Sequence, residues 1–150
     1  MWQKLWALNV SPKDRTFAWR ACSNILPTRD NLQRKKVRIE ERCELCDHSS
    51  ETASHILWEC PLAKKVWTLV RGKLQKSPAS IQDIFMLVRG LFGRLEKKDL
   101  EVWASVSWAI WNARNKFYVD KVQTPPRTIM ENAVGLLDEY QRLMTARRQL

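Results

Sequence analysis

Residues 43–60 of this 150-residue chain read CELCDHSSETASHILWEC, and this stretch decides how its surroundings fold. It contains three of the four cysteines and both histidines of the chain. Structural Zn²⁺ sites bind the metal tetrahedrally with four protein groups, usually thiolates and imidazoles arranged as two closely spaced pairs. The pattern C-x2-C-x8-H-x4-C has that arrangement and predicts a zinc site. Its expected ligands are Cys43, Cys46, His55 and Cys60.

Other uses of the same residues stay open at this point. His48 is a rival ligand, since it follows Cys46 by two residues in a polar turn. The thiols could instead be buried free cysteines beside a hydrogen-bonded histidine, because free cysteine is among the most buried residue types. A disulfide framework is disfavoured, since C-x2-C followed by H-x4-C is more typical of metal binding.

The second half of the stretch has the composition of a short helix from Thr52 to Cys60. Ser50 is a candidate N-cap, and Glu51 would lie near the positive end of the helix dipole. His55 and Cys60 are five residues apart and do not share a face of an ideal helix. We therefore expect the helix end to distort, or Cys60 to lie just beyond it. Pro61 either ends this helix or occupies the first turn of the next one.

The rest of the chain shows helical periodicity almost throughout, and the predicted fold class is all-α: a compact helical domain with a Cys-Cys-His-Cys zinc knuckle, followed by long helices. Only residues 37–39 alternate like a short strand. Predicted caps are Thr28 and Ser80. The expected helices are Pro12 to Cys22, Thr28 to about Lys36, Ala63 to Leu74, Ile81 to Phe92, Lys98 to Val119, and Thr128 to Arg148.

Eight tryptophans raise the possibility of a base-stacking platform, which needs exposed rings in a basic groove. Most of them lie among aliphatic residues in helical segments and are predicted to be core residues. That group is Trp19, Trp67, Trp103, Trp108 and Trp111. Trp2 and Trp6 are the expected exposed pair, and Trp58 is expected to pack the zinc module onto the helices.

The formal net charge of +10 is unevenly distributed. Residues 1–42 contain ten Lys/Arg against four Asp/Glu, whereas residues 43–60 contain four acids and no Lys or Arg, and residues 61–98 contain nine bases against two acids. An acidic metal loop between basic segments suggests a brace whose flanks contact a polyanion through its phosphates. Solvated helix faces that only keep the protein soluble are the alternative. The predicted nucleic-acid contacts are Arg29, Arg34, Lys35, Lys36, Arg38 and Arg42.

The sequence contains no recognisable catalytic constellation. It has no glycine-rich phosphate loop, and its acids are too scattered to form a two-metal site from local sequence. A Cys22–His48 nucleophilic pair is conceivable, but nothing in the sequence orients it. We expect a protein that is not an enzyme. The absence of an apolar signal segment or a long apolar span leads us to expect an intracellular protein, nuclear or cytoplasmic, without a membrane partner.

Several motifs together resemble the zinc-binding domain of plant LINE-type (non-LTR) retrotransposon reverse transcriptases. They are the Phe-Ala-Trp-Arg-Ala element at residues 17–21, the cysteine pair, and the run from Glu51 to Ala63 with Val66 and Trp67. The resemblance covers about residues 1–70 and implies the same four zinc ligands. Residues 111–117 are similar to the helical segment that leads into a ribonuclease H domain in that family.

The resemblance implies two regions: a reverse-transcriptase-type zinc-binding domain at residues 1–74, and a helical region at residues 75–150. No polymerase Asp-Asp motif is present, and the chain ends before any ribonuclease H carboxylates. We therefore expect a non-catalytic module that binds RNA or DNA largely without sequence preference. The alternatives are a structural or protein-interaction module, with a reverse transcriptase or another protein as partner, and a translated retroelement relic.

Overall fold

The computed structural model describes residues 1–70 and 83–149. Within these residues the chain is helical and has no β-ladder, only one isolated antiparallel bridge between Arg42 and Ser50. The predicted all-α class is confirmed. The helices are α1 (Trp2–Trp6), α2 (Pro12–Cys22), α3 (Arg29–Arg34), a π-helical turn (His55–Glu59), α4 (Pro61–Leu69), α5 (Ile84–Arg94), α6 (Lys97–Asp120) and α7 (Pro126–Arg148).

Helices α2 and α3 begin as their sequences predict. Pro12 occupies the first turn of α2, and the Ser11 side chain accepts a hydrogen bond from the Asp14 amide at 3.3 Å. Thr28 caps α3 by accepting from the Asn31 amide at 3.4 Å. Both caps satisfy amides that have no partner inside the helix.

The predicted strand, the bounds of α4 and the start of α5 differ from the structure or lie partly outside the described residues. Residues 37–39 form no strand, because in the described part of the chain no neighbouring segment pairs with them. Helix α4 begins at Pro61, two residues before the predicted start, and ends at Leu69, because Val70 is extended with φ −79° and ψ 130°. The rest of the predicted helix, residues 71–74, lies outside the described ranges. The predicted cap Ser80 and helix start Ile81 also lie outside those ranges, and α5 is capped by Asp83.

The core is organised around α6, which packs against α2, α7 and the π-helical turn. Trp103 and Ile110 of α6 are completely enclosed, and aromatic pairs connect the helices. Trp111 packs on Phe17 of α2 with ring centroids 6.3 Å apart, and Trp103 meets Phe92 of α5 edge-on at 6.2 Å. Helix α7 also contacts α4, so residues from both sides of the undescribed segment share one core.

The predicted division into residues 1–74 and 75–150 stays a prediction, because its boundary falls among residues outside the described ranges. Polar contacts nevertheless join the two ends of the chain. Gln141 of α7 donates to the Asn9 carbonyl at 3.0 Å and to the buried carboxylate of Glu101 at 3.1 Å. Asn9 and Gln141, which are 132 residues apart in the chain, thus share one hydrogen-bonded joint.

The tryptophans divide nearly as predicted, with one error, Trp19, and one partial case, Trp108, which is only partly buried against the core. Trp67, Trp103 and Trp111 are buried, while Trp2 and Trp6 are exposed. The core assignment of Trp19 is wrong: its side chain is 37% exposed and lies outside the packed cluster. It occupies the face of α2 opposite Phe17 and Ala21, which take the inward positions. No helix in the described residues is long and apolar enough to cross a bilayer.

Candidate metal centre

The π-helical turn explains how residues five apart reach one site. The amide of Cys60 donates to the carbonyl of His55 at 2.7 Å, an i to i+5 hydrogen bond that widens the helix by one residue. Cys60 itself then leaves the helix with φ −56° and ψ 140°, and Pro61 starts α4. Both expected solutions, a distorted helix end and a cysteine just beyond it, are therefore present together.

The first ligand pair lies on a tight turn. Asp47 adopts a left-handed φ of 59° and donates its amide to the Cys43 carbonyl at 2.8 Å. The Cys43 amide in turn donates to the carbonyl of Ser49 at 2.7 Å. Aspartate tolerates this backbone region better than most residues. The turn therefore holds Cys43 and Cys46 on one side, facing the π-helical turn.

The ligand atoms of Cys43, Cys46, His55 and Cys60 all lie within 4.8 Å of one another. The Cys46 sulfur is 3.4 Å from Nε2 of His55. Zn–S bonds of about 2.3 Å and Zn–N bonds of about 2.0 Å put neighbouring ligand atoms of a tetrahedron roughly 3.5–3.8 Å apart. Three thiols and one imidazole at such distances can hold a metal ion with only small adjustments. The exposed His48 is not part of this group.

The thiols interact strongly even without a metal. A hydrogen bond between Cys43 and Cys60, together with burial, raises the pKa of Cys43 to about 12, and the same hydrogen bond lowers the pKa of Cys60. Burial lowers the pKa of His55, but its hydrogen bonds with Cys43 and Cys46 and their charges give a net rise. The protons on these three groups are therefore coupled through their hydrogen bonds. Metal binding would displace such protons.

The metal loop, residues 43–60, is fixed to α6 by a buried ion pair that sequence reasoning missed. Glu51 is completely buried, and Arg114 of α6 binds both its carboxylate oxygens, at 3.1 Å through Nε and 2.5 Å through Nη2. The Tyr118 hydroxyl and the Arg29 amide also donate to this carboxylate. A buried charge is tolerated only with such complete pairing.

This role replaces the predicted position of Glu51 beside a Ser50 cap. Thr52 caps the turn instead, since its hydroxyl accepts from the His55 amide at 3.0 Å. A signal for the ion pair was present in the sequence: Arg114 continues the buried stripe of α6 that includes Trp111. An arginine on a core-facing stripe requires a buried anion, although the stripe does not say which one.

A second cluster of charges surrounds Glu44, near the surface. Glu44 accepts from Arg29 at 2.9 Å and from Lys121, at the end of α6, at 2.5 Å. The Arg29 guanidinium also lies over the ring of Tyr118, 4.8 Å from its centroid. Together with Glu51, these contacts use two of the loop's four acidic side chains to hold the loop in place, as the proposed brace requires.

Packing completes the support of the loop. The indole nitrogen of Trp67 donates to the Leu57 carbonyl at 2.8 Å, and the Trp67 ring lies 5.0 Å from the ring of Trp58. Trp58 thus connects the loop to α4, as expected. Cys22, the remaining cysteine, is buried on α2, where burial raises its pKa to about 12. No hydrogen bond joins it to a histidine among residues 1–70 and 83–149.

The six predicted nucleic-acid contacts differ in whether their charged groups are already paired within the protein. Arg29 is committed to Glu44 and Tyr118, Arg34 pairs with Asp30 at 3.0 Å, and Arg42 lies 3.5 Å from Asp47. The other three side chains are exposed, and within the described residues their cationic groups have no ion-pair partner. These are Lys35, Lys36 and Arg38. With Val37 they form what we call the basic turn, residues 35–38.

Comparison with known proteins agrees with this geometry. Residues 1–67 match a family model described as zinc-binding in reverse transcriptase. The matched residues include all four ligands of the metal centre. No solved structure matches the chain.

One curated relative extends the similarity into the later helices. It is an Arabidopsis thaliana protein whose name describes it as a candidate ribonuclease H protein, and it is 23% identical over 114 residues. The match covers 73% of this chain but only 18% of the relative. The chain therefore spans under a fifth of the length of that relative.

Proposed function

We propose that this chain is a non-catalytic zinc-binding module of retroelement reverse-transcriptase origin that holds RNA or DNA by its phosphate backbone. The observation that carries the proposal is the convergence of three thiols and an imidazole inside the segment that matches the reverse-transcriptase zinc-binding model. The plant LINE-type assignment is part of the same proposal, and the similarity to an Arabidopsis protein supports it.

In this proposal Zn²⁺ has a structural role. Bound by Cys43, Cys46, His55 and Cys60, it would supply a fourfold crosslink between the tight turn and the π-helical turn. The chain's own residues provide the remaining attachment. Glu51 binds Arg114 of α6, and Glu44 binds Lys121 at the end of α6. The basic turn, which precedes the loop by a few residues, is thereby held at a fixed place on the surface.

Nucleic-acid binding is supported by the three unpaired cations of the basic turn. Lysine and arginine that lack intramolecular partners lose little on approaching phosphates, and they release the condensed counterions of the polymer. Such contacts position a nucleic acid but do not read its bases. We therefore propose weak sequence preference and a location, nuclear or cytoplasmic, where RNA or DNA is accessible.

The test combines metal analysis with a binding titration on one preparation. We expect one zinc per chain, and binding of both a mixed-sequence RNA and a DNA of the same sequence that falls steeply between about 50 and 200 mM salt. A zinc-containing protein that binds neither polymer at low salt would rule out the nucleic-acid proposal.

A second candidate is a protein-interaction module, and the surface of α7 favours it. A groove of about 570 Å³ lies along α6 and α7, and Leu136 and Leu143 on its edge are both more than half exposed. Exposed leucines beside a groove are typical of protein contact sites. In that case the partner would be a reverse transcriptase or another protein, and the basic turn would be incidental. A chain without nucleic-acid or protein partners would be a retroelement relic.

A further inference from the structure

The basic turn contains a backbone feature that its charge alone does not explain. Lys36 adopts a left-handed conformation with φ 64°. The amide of Lys36 donates to the Gln33 carbonyl at 2.9 Å, and the amide of Val37 donates to the Leu32 carbonyl at 3.0 Å. These two hydrogen bonds define a Schellman motif that ends α3, with Lys36 at its left-handed position.

Glycine is the usual residue at that position, because a side chain there crowds the following carbonyl and costs stability. Lysine carries a Cβ, unlike glycine, and it lacks the local side-chain hydrogen bonding that lets asparagine adopt this conformation. A lysine at this position therefore lowers stability unless its side chain makes a compensating contact. Strain of this kind tends to persist at functional positions.

A second lysine in the same chain combines the same backbone conformation with a compensating side-chain contact. Lys121 also has a left-handed backbone, φ 57°, and ends α6 through its amide hydrogen bond to the Phe117 carbonyl. Its ammonium group binds Glu44 at 2.5 Å, so its charge helps to hold the metal loop. The ammonium group of Lys36 has no such partner within the described residues.

We infer that Lys36 is a phosphate-contacting residue, whose charge is placed at the left-handed end of α3 at the expense of stability. This inference rests on the proposed nucleic-acid binding and identifies the residue at its centre. The Schellman motif holds the backbone of Lys36 in one conformation between Lys35 and Arg38. A fixed backbone reduces the entropy lost when such side chains are ordered on a phosphate chain.

The test replaces the two left-handed lysines separately. In Lys36→Gly we expect the melting temperature to rise by about 2–4 °C, since the backbone strain is removed. We also expect the slope of log affinity against log salt to fall by about 0.7 for a labelled single-stranded RNA, the amount for one lost phosphate contact. Lys121→Gly removes the same charge from the same conformation, and it should leave that slope unchanged because its ammonium is already paired.

A third variant separates charge from flexibility. Lys36→Asn keeps a residue that tolerates the left-handed region but removes the charge, and it should lower the slope as Lys36→Gly does. An unchanged slope in either Lys36 variant would overturn the inference, as would an equal loss in Lys121→Gly or a lower melting temperature for Lys36→Gly. Failure of the parent protein to bind RNA at low salt is a different result, because it removes the proposed function itself.

Discussion

The metal loop and the basic turn lie only a few residues apart but use their charged side chains in opposite ways. In the loop, Glu51 is buried against Arg114, and Glu44 binds two cations. In the turn, Lys35, Lys36 and Arg38 are exposed without intramolecular partners among the described residues. The loop therefore belongs to the architecture of the molecule, whereas the turn is available to a ligand.

Removing the metal should give the largest effect, since structural zinc contributes roughly 10–16 kcal/mol to the folding of zinc-finger peptides. Cys60→Ser should abolish zinc binding and disorder residues 43–60, while the apolar contacts of α6 and α7 keep those helices folded. Metal analysis with hydrogen exchange measures both. The control Cys22→Ser should keep its zinc. A folded, metal-free parent, or Cys60→Ser with unchanged stability, would contradict the structural role of the metal.

The buried ion pair should come next. Arg114→Ala leaves the carboxylate of Glu51 buried without its main partner, and the loss of unfolding free energy should be about 3–5 kcal/mol. Arg127, whose pair with Glu131 is exposed, provides the matched control, and Arg127→Ala should cost less than about 1 kcal/mol. Urea unfolding of both variants makes the comparison. Equal losses would show that the loop is not anchored through Glu51.

Packing beneath the loop should be similarly sensitive. Trp67→Ala removes a 4%-exposed side chain and its hydrogen bond to Leu57, at a cost of about 3–5 kcal/mol. Trp19→Ala should cost less than about half as much, because that ring lies outside the packed cluster and leaves no enclosed cavity. Thermal unfolding distinguishes the two. A larger loss of stability in Trp19→Ala than in Trp67→Ala would return Trp19 to the core.

Single arginines should show the smallest effects and the sharpest contrast. Arg38→Ala should leave stability nearly unchanged and lower the salt slope of RNA binding by about 0.7, the value for one phosphate contact. Arg29→Ala should instead lower stability, since Arg29 binds Glu44 and covers Tyr118. Its salt slope should stay near that of the parent protein. The reverse pattern would mean that the paired cation, not the unpaired one, meets the ligand.

The clustering of three cysteines with one histidine and the positions of most helices were predictable from the sequence because their determinants are local. Helix α2 has the predicted bounds, since a serine cap, a proline in the first turn and an apolar stripe all lie within it. The spacing of His55 and Cys60 also required a distortion. It could not select the π-helical turn, which depends on how the loop packs on α4 and α6.

Long-range contacts could not be predicted from the sequence, because only the fold brings their partners together. Glu51 and Arg114 are 63 residues apart, and neither position alone identifies the other. The error at Trp19 was local by contrast, because helical spacing already places it on the face of α2 opposite Phe17 and Ala21. Which of the six predicted cations are free depends on acids brought near by the fold. Glu44 and Asp47, for example, take up two of the arginines.

RNA binding by a variant with Lys35, Lys36 and Arg38 all changed to glutamate tests the central claim most directly. Charge reversal of the basic turn should abolish binding to a mixed-sequence RNA at low salt, because three phosphate contacts become repulsive. Zinc content and melting temperature should stay close to those of the parent, since none of these side chains has a partner in the described structure. Binding as tight as that of the parent protein, or loss of zinc from the variant, would contradict the separation between a structural loop and a ligand-binding turn.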